Sequence, residues 1–113
     1  MSKSLIPKLE AIKQRYNEVA DLIIQPDVIS DQKKYSSLNK EYSDLGKIVA
    51  VFDQYKQTLN TIEESDEIIA DGSDKEFVEM AKLEKNEAIQ RIPDLEEQLK
   101  VLLIPKDPAD DKN

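Results

Sequence analysis

Tyr35-Ser-Ser-Leu38-Asn-Lys-Glu-Tyr42-Ser-Asp-Leu45-Gly-Lys-Ile-Val49-Ala-Val-Phe52 is the stretch whose reading decides the fold. Its residues Tyr35, Leu38, Tyr42, Leu45, Val49 and Phe52 alternate three and four apart, and Tyr55, Leu59, Ile62 and Ile69 carry the stripe onward. That rhythm puts them on one face of an α-helix and leaves Lys, Glu, Asp and Ser on the others. A helix from Asp31 to Ala70 would be roughly 60 Å long at 1.5 Å per residue, so the remaining segments must line up along it. Between Phe52 and Tyr55 a step of three follows a step of three. Such a slip rotates the stripe and predicts a change of packing partner there.

Outward from this helix, the N-terminal side reads as a shorter one. Ser4 is the expected N-cap, Pro7 falls in the first turn, and Leu5, Leu9, Ile12, Tyr16, Val19 and Ile23 recur at helical spacing. Pro26 disfavours helical geometry in the residue before it, which ends this helix near Ile24 or Gln25. The short link Gln25 to Ile29 favours an antiparallel return, with Val28 or Ile29 closing the apolar end and Ser30 or Asp27 capping the central helix. Gly46 costs about 1 kcal/mol relative to Ala inside that helix, too little to break so strong a stripe.

On the C-terminal side, Asp71-Gly72-Ser73-Asp74 is the clearest turn. Gly72 suits the left-handed conformation at a helix end, and Ser73 with Glu76 reads as a capping box for the next helix. That helix is expected from Asp74 to Leu103 with Phe77, Met80, Ala81, Ala88, Ile92, Leu95, Leu99 and Leu102 inward. Pro93 removes the bond to the carbonyl of Ile89 and is expected to kink or split it. The fold class is therefore all-α, an elongated antiparallel three-helix bundle or helical hairpin with coiled-coil-like packing. Residues 1–104 form the helical domain, and 105–113, with two prolines and several charges, read as a linker cut at a domain boundary.

Composition narrows the chemistry. The 113 residues are 35% charged and 5% aromatic, which suits amphipathic helices better than sheet. The sequence has no Cys and no His, so it offers no disulfide, no thiolate and neither the commonest general base nor the commonest transition-metal ligand. Pairs such as Glu96 and Glu97 lie on an exposed face with no pocket to raise a pKa. The cluster Asp107, Asp110, Asp111 lacks the spacing of a Ca²⁺ loop. No catalytic residue, metal or cofactor is expected. No apolar run is long enough for a signal peptide or membrane span, which predicts a soluble cytoplasmic protein.

The net charge of −8 argues against direct nucleic-acid binding. Its distribution is uneven: eight acids against Lys75 lie between Glu63 and Glu79, a net of −7. Asp74 and Glu76 complement the positive end of a helix, but Glu63, Glu64, Asp66 and Glu67 stand near the negative end of theirs and oppose its dipole. The bland reading of this run is a solvated hairpin tip. The functional one is that these four residues meet a basic protein surface, since breaking a local rule points to use elsewhere.

The tail Leu102-Leu103-Ile104-Pro105-Lys106-Asp107-Pro108-Ala109-Asp110-Asp111-Lys112-Asn113 resembles the segment that joins the N-terminal helical domain of bacterial class I peptide chain release factors to the next domain, most closely in the branch that reads UAA and UAG. The opening Leu9-Glu10-Ala11-Ile12, the Tyr35 to Leu45 segment and the turn at Asp74-Lys75-Glu76-Phe77 agree with it, while Pro93 stands where a helix former is usual. Family members decode with a tripeptide motif in a central domain and promote peptidyl-tRNA hydrolysis with a Gly-Gly-Gln motif in another. Neither motif is in this sequence. The resemblance implies a non-catalytic domain that contacts the ribosome at the stalk base and GTPase-associated region of the large subunit, and takes part in the interplay with the recycling GTPase. The rival reading from residues alone is a free-standing helical adaptor or oligomerising coiled coil; a monomer is expected here.

Overall fold

The computed structural model describes residues 5–105, and every regular element among them is helical: α1 (Leu5–Leu22), α2 (Pro26–Ile29), α3 (Gln32–Asp71) and α4 (Lys75–Leu102). The expected N-cap Ser4 and the linker beyond Pro105 lie outside the described residues. The chain divides into two compact units, Met1–Gln54 and Tyr55–Asn113, with α3 contributing to both. The division falls at the slip in the apolar stripe between Phe52 and Tyr55.

In the first unit α1 runs antiparallel to the first part of α3. Lys13 Nζ meets Asp53 Oδ1 at 2.7 Å, the Tyr16 ring stacks on Tyr42, and Val19 packs in one cluster with Val28 and Leu38. As α1 advances, its partners on α3 step back. Leu22, Ile23 and Tyr42 pack around that cluster. The short link from Gln25 to Ile29 takes the form of the helical turn α2, because Pro26 has its fixed φ ready for a first helical position and the N–H it lacks would have been unpaired there. This turn buries Val28 and leaves Ile29 exposed. The cap of α3 is neither Ser30 nor Asp27. Asp31 Oδ1 accepts from the Lys34 N–H at 3.2 Å, while the Ser30 hydroxyl donates to the Asp27 carbonyl.

Gly46 sits within unbroken helix because its missing side chain makes room. A Cβ there would lie 3.3 Å from Tyr16 Cε1. The Tyr16 and Tyr42 centroids are 4.7 Å apart with the rings 9° from parallel. Beside them Arg15 donates to both carboxylate oxygens of Glu41, at 2.6 and 2.9 Å, and this fork holds the Glu41 carboxyl below its usual range.

The second unit is a helical hairpin in even register. Tyr55 on α3 donates its hydroxyl to Glu96 on α4 at 3.2 Å, and Asp66 on α3 pairs with Lys85 on α4 at 2.5 Å. Eleven residues separate the contacts on each helix, so neither helix gains or loses a residue between them. Burial, and then the Glu96 carboxylate, push the Tyr55 phenol up. Pro93 does not split α4. Pro93 and Ile89 are both exposed, so water can bond the carbonyl that the proline leaves unpaired.

The seam of this hairpin keeps Tyr55, Ala81, Ala88, Leu95 and Leu99 as expected and differs at the other positions. Tyr55, Thr58, Ser65, Ala81, Ala88, Leu95 and Leu99 are buried, whereas Leu59, Phe77 and Met80 are 38%, 61% and 56% exposed. Thr58 and Ser65 are seven residues apart, as are Ala81 and Ala88, so small side chains recur along the facing positions of both helices. Small residues let two helix backbones approach closely. Larger apolar groups one position away are pushed to the flanks.

Candidate functional site

The acidic run and the turn meet at the end of this hairpin. α3 stops because Gly72 takes φ +63°, a left-handed conformation costly for any residue with a Cβ, and its N–H returns to the Ile68 carbonyl at 3.1 Å. The capping box expected from Ser73 and Glu76 is not formed. Asp74 is the N-cap instead, its Oδ1 accepting from the N–H of Glu76 at 2.9 Å and of Phe77 at 3.4 Å. A carboxylate there meets the positive helix end with a full charge, which a serine hydroxyl cannot. Ser73 turns back and donates to Asp71 Oδ2 at 2.5 Å.

These local choices shape an open cleft of about 410 Å³ lined by Glu67, Ile68, Asp71, Ser73, Asp74 and Phe77. Its apolar part is Ile68 and Phe77, 43% and 61% exposed, and its rim is three carboxylates. Phe77 is held outward because it lies in the first turn of α4, three residues after the cap, where α3 has already ended and no seam position faces it.

The four acids singled out from the sequence are all exposed but do not form one cluster. Ser65, buried at the seam, stands among them. Asp66 is engaged by Lys85, Glu64 Oε1 accepts from Asn60 Nδ2 at 2.7 Å, and Glu67 joins Asp71 and Asp74 around the cleft. Glu63 lies four residues before Glu67, one turn away on the same side of α3. The arrangement offers an apolar contact ringed by negative charge, which suits a basic segment carrying an aliphatic or aromatic side chain. Among the described residues no cluster of acids could hold a metal ion, and Asp107, Asp110 and Asp111 lie outside them. No helix among the described residues is long and apolar enough to cross a membrane.

Compared with known proteins, residues 12–113 match the PCRF domain. The chain belongs to the PCRF domain family. This PCRF chain is 55% identical over 109 residues to peptide chain release factor 1 of Flavobacterium johnsoniae, 50% identical to that of Cytophaga hutchinsonii and 47% identical to that of Staphylococcus carnosus. Each alignment covers 96% of the chain and 30% of the relative, so the PCRF chain spans about a third of the length of these proteins. No solved structure matches it.

Sequence reasoning located the acidic tip of this PCRF chain but missed Ile68 and Phe77. Helical spacing alone places Phe77 inward. Its place three residues after the cap, beside a turn, is the signal that separates it from the seam.

Proposed function

We propose that this chain is the N-terminal helical domain of a translation termination factor that, in full length, recognises UAA and UAG and promotes peptidyl-tRNA hydrolysis on the ribosome. The observation that carries the reading is the 55% identity over 109 residues to a peptide chain release factor 1. In this reading residues 1–104 are the domain and 105–113 the linker toward decoding and Gly-Gly-Gln domains. The chain itself is non-catalytic, since its sequence contains neither of those motifs and neither His nor Cys. It works in the cytoplasm as a monomer.

Its own task is contact. The hairpin tip, with Glu63, Glu64, Asp66 and Glu67 supplying charge and Ile68 with Phe77 supplying an apolar surface, meets a basic protein surface at the stalk base of the large ribosomal subunit or on the recycling GTPase. The apolar cleft with its carboxylate rim supports this more than a solvated tip, because a tip built only for solubility has no use for an exposed Phe. The test is peptide release by the full-length protein that carries this domain, on ribosomes stalled at each stop codon. Release at UAA and UAG but not UGA is expected. Release at none of them overturns the assignment.

A further inference from the structure

The first unit carries a second surface of opposite sign. On α3, Lys33, Ser36, Lys40, Ser43 and Lys47 recur three and four apart, and all five are exposed. This stripe lies on the side away from Leu38, Tyr42 and Val49, which face the core. Lys33, Ser36 and Lys40, with Gln32 and Ser37, line a surface hollow of about 510 Å³. None of Lys33, Lys40 and Lys47 makes an ion pair among the described residues, although Lys13, Arg15, Lys82 and Lys85 all do. The nearby acids are occupied: Glu41 is held by Arg15, Asp53 by Lys13, and Asp31 caps the helix. Asp44, half-buried beside the stripe, is engaged as well. The whole-chain charge of −8 therefore hides a basic face, because the excess of acid begins at Glu63, sixteen residues beyond Lys47.

We propose that this face binds the phosphate backbone of an RNA strand, with Lys33, Lys40 and Lys47 neutralising phosphates and Ser36, Ser43 and Gln32 donating to their oxygens. Lysines seven residues apart are spaced at about 10 Å along the helix, a linear array of point charges suited to a charged polymer. The interleaved hydroxyl and amide donors are the neutral partners that phosphate oxygens commonly take. No base-reading group joins them, so the contact is independent of sequence. The choice of RNA over other polyanions rests on the ribosomal reading above.

The test measures binding of the 113-residue chain to a short labelled RNA duplex by fluorescence anisotropy, with polyglutamate of equal charge as competitor. Three neutralised phosphates give an affinity that falls about 40-fold between about 50 and 200 mM salt. Each of Lys33→Gln, Lys40→Gln and Lys47→Gln reduces the slope of that dependence by about 0.9, and the triple variant removes binding. Lys82→Gln, on the other unit, leaves it unchanged. All three positions are exposed, and circular dichroism verifies that the variants fold. Absence of RNA binding at low salt, equal binding by the triple variant, or equal displacement by polyglutamate overturns the proposal. Ribosome binding through the tip is a separate measurement with Glu67 and Phe77 variants, so either reading can fall while the other stands.

Discussion

Replacing Gly46 by alanine sets two terms of similar size against each other. Alanine in a helix interior is about 1 kcal/mol better than glycine, so an unencumbered site would gain that much. Here the new Cβ arrives 3.3 Å from Tyr16 Cε1, 3.8 Å from its hydroxyl oxygen and 3.9 Å from Cζ, and the first contact is shorter than carbon atoms prefer. The ring must retreat by a few tenths of an ångström, but it is stacked on Tyr42, and such a pair is worth about 0.5–1.5 kcal/mol. The gain and the cost nearly cancel, and Gly46→Ala is expected within about 0.5 kcal/mol of the parent. In a Tyr16→Leu background the side chain ends short of that contact. There the same substitution should stabilise by about 1 kcal/mol. Gly46→Val, with two more methyl groups facing the ring, should cost about 1–3 kcal/mol. Urea unfolding followed by far-ultraviolet circular dichroism on the four members of the alanine cycle gives the coupling directly. Equal stabilisation by Gly46→Ala in both backgrounds would refute the idea that the aromatic stack dictates glycine here.

Three further outcomes follow from the hairpin and the Arg15 fork. Ala88→Leu places three extra carbons in a seam that is 4% exposed, and should destabilise by about 1–3 kcal/mol in urea titration, whereas Met80→Leu on the exposed flank should be nearly neutral. Gly72→Ala must adopt φ near +63° and should cost about 1 kcal/mol, with Gly72→Asn milder; a neutral alanine variant in the same titration would show that the turn can reorganise. The Glu41 carboxyl is held below its ordinary 4.5 by its bonds to Arg15, so the stabilisation it supplies is complete above about pH 4.5 and is lost as pH falls through the lower folded-state value. The melting temperature of the parent should therefore drop further on acidification than that of Glu41→Gln, and identical acid profiles would remove the pair from the account.

Much of the fold is legible because its strongest signal is periodic. The spacing of Leu38, Tyr42, Val49 and Phe52 identifies the core side of α3, and the slip at Tyr55 coincides with the division into two units. What the pattern misreads is the hairpin seam. The helical spacing of α4 places Ala81, Ala88, Leu95 and Leu99 inward, as found, but counting apolar residues also selects Leu59, Phe77 and Met80, which are exposed, and passes over Thr58 and Ser65, which are buried because the close approach of two helices favours small side chains. Thr and Ser score as polar in any hydropathy pattern, so their burial is invisible to it. The cap is ambiguous for a related reason: Ser73 and Asp74 are both good capping residues, and only the turn geometry decides between them.

At the candidate site the charge was legible and the chemistry was not. A run from Glu63 to Glu79 declares itself in the sequence, yet the four acids first singled out serve different ends once Asp66 is paired with Lys85 and Glu64 with Asn60. The exposed pair Ile68 and Phe77 gives the acidic tip an apolar surface that charge counting does not show. The basic stripe on α3 was hidden by the opposite error, since the whole-chain charge sums over two faces of opposite sign.

The most direct test of the contacting role is the affinity of the 113-residue chain for purified large ribosomal subunits at low salt, for the parent and for Glu67→Lys with Phe77→Ser. Neither residue caps a helix or fills the seam, so the double variant should keep its fold. If the hairpin tip is the contact, affinity should fall by about tenfold or more, as loss of one buried aromatic anchor and reversal of one charge at an interface requires. Unchanged affinity in a folded variant would contradict it.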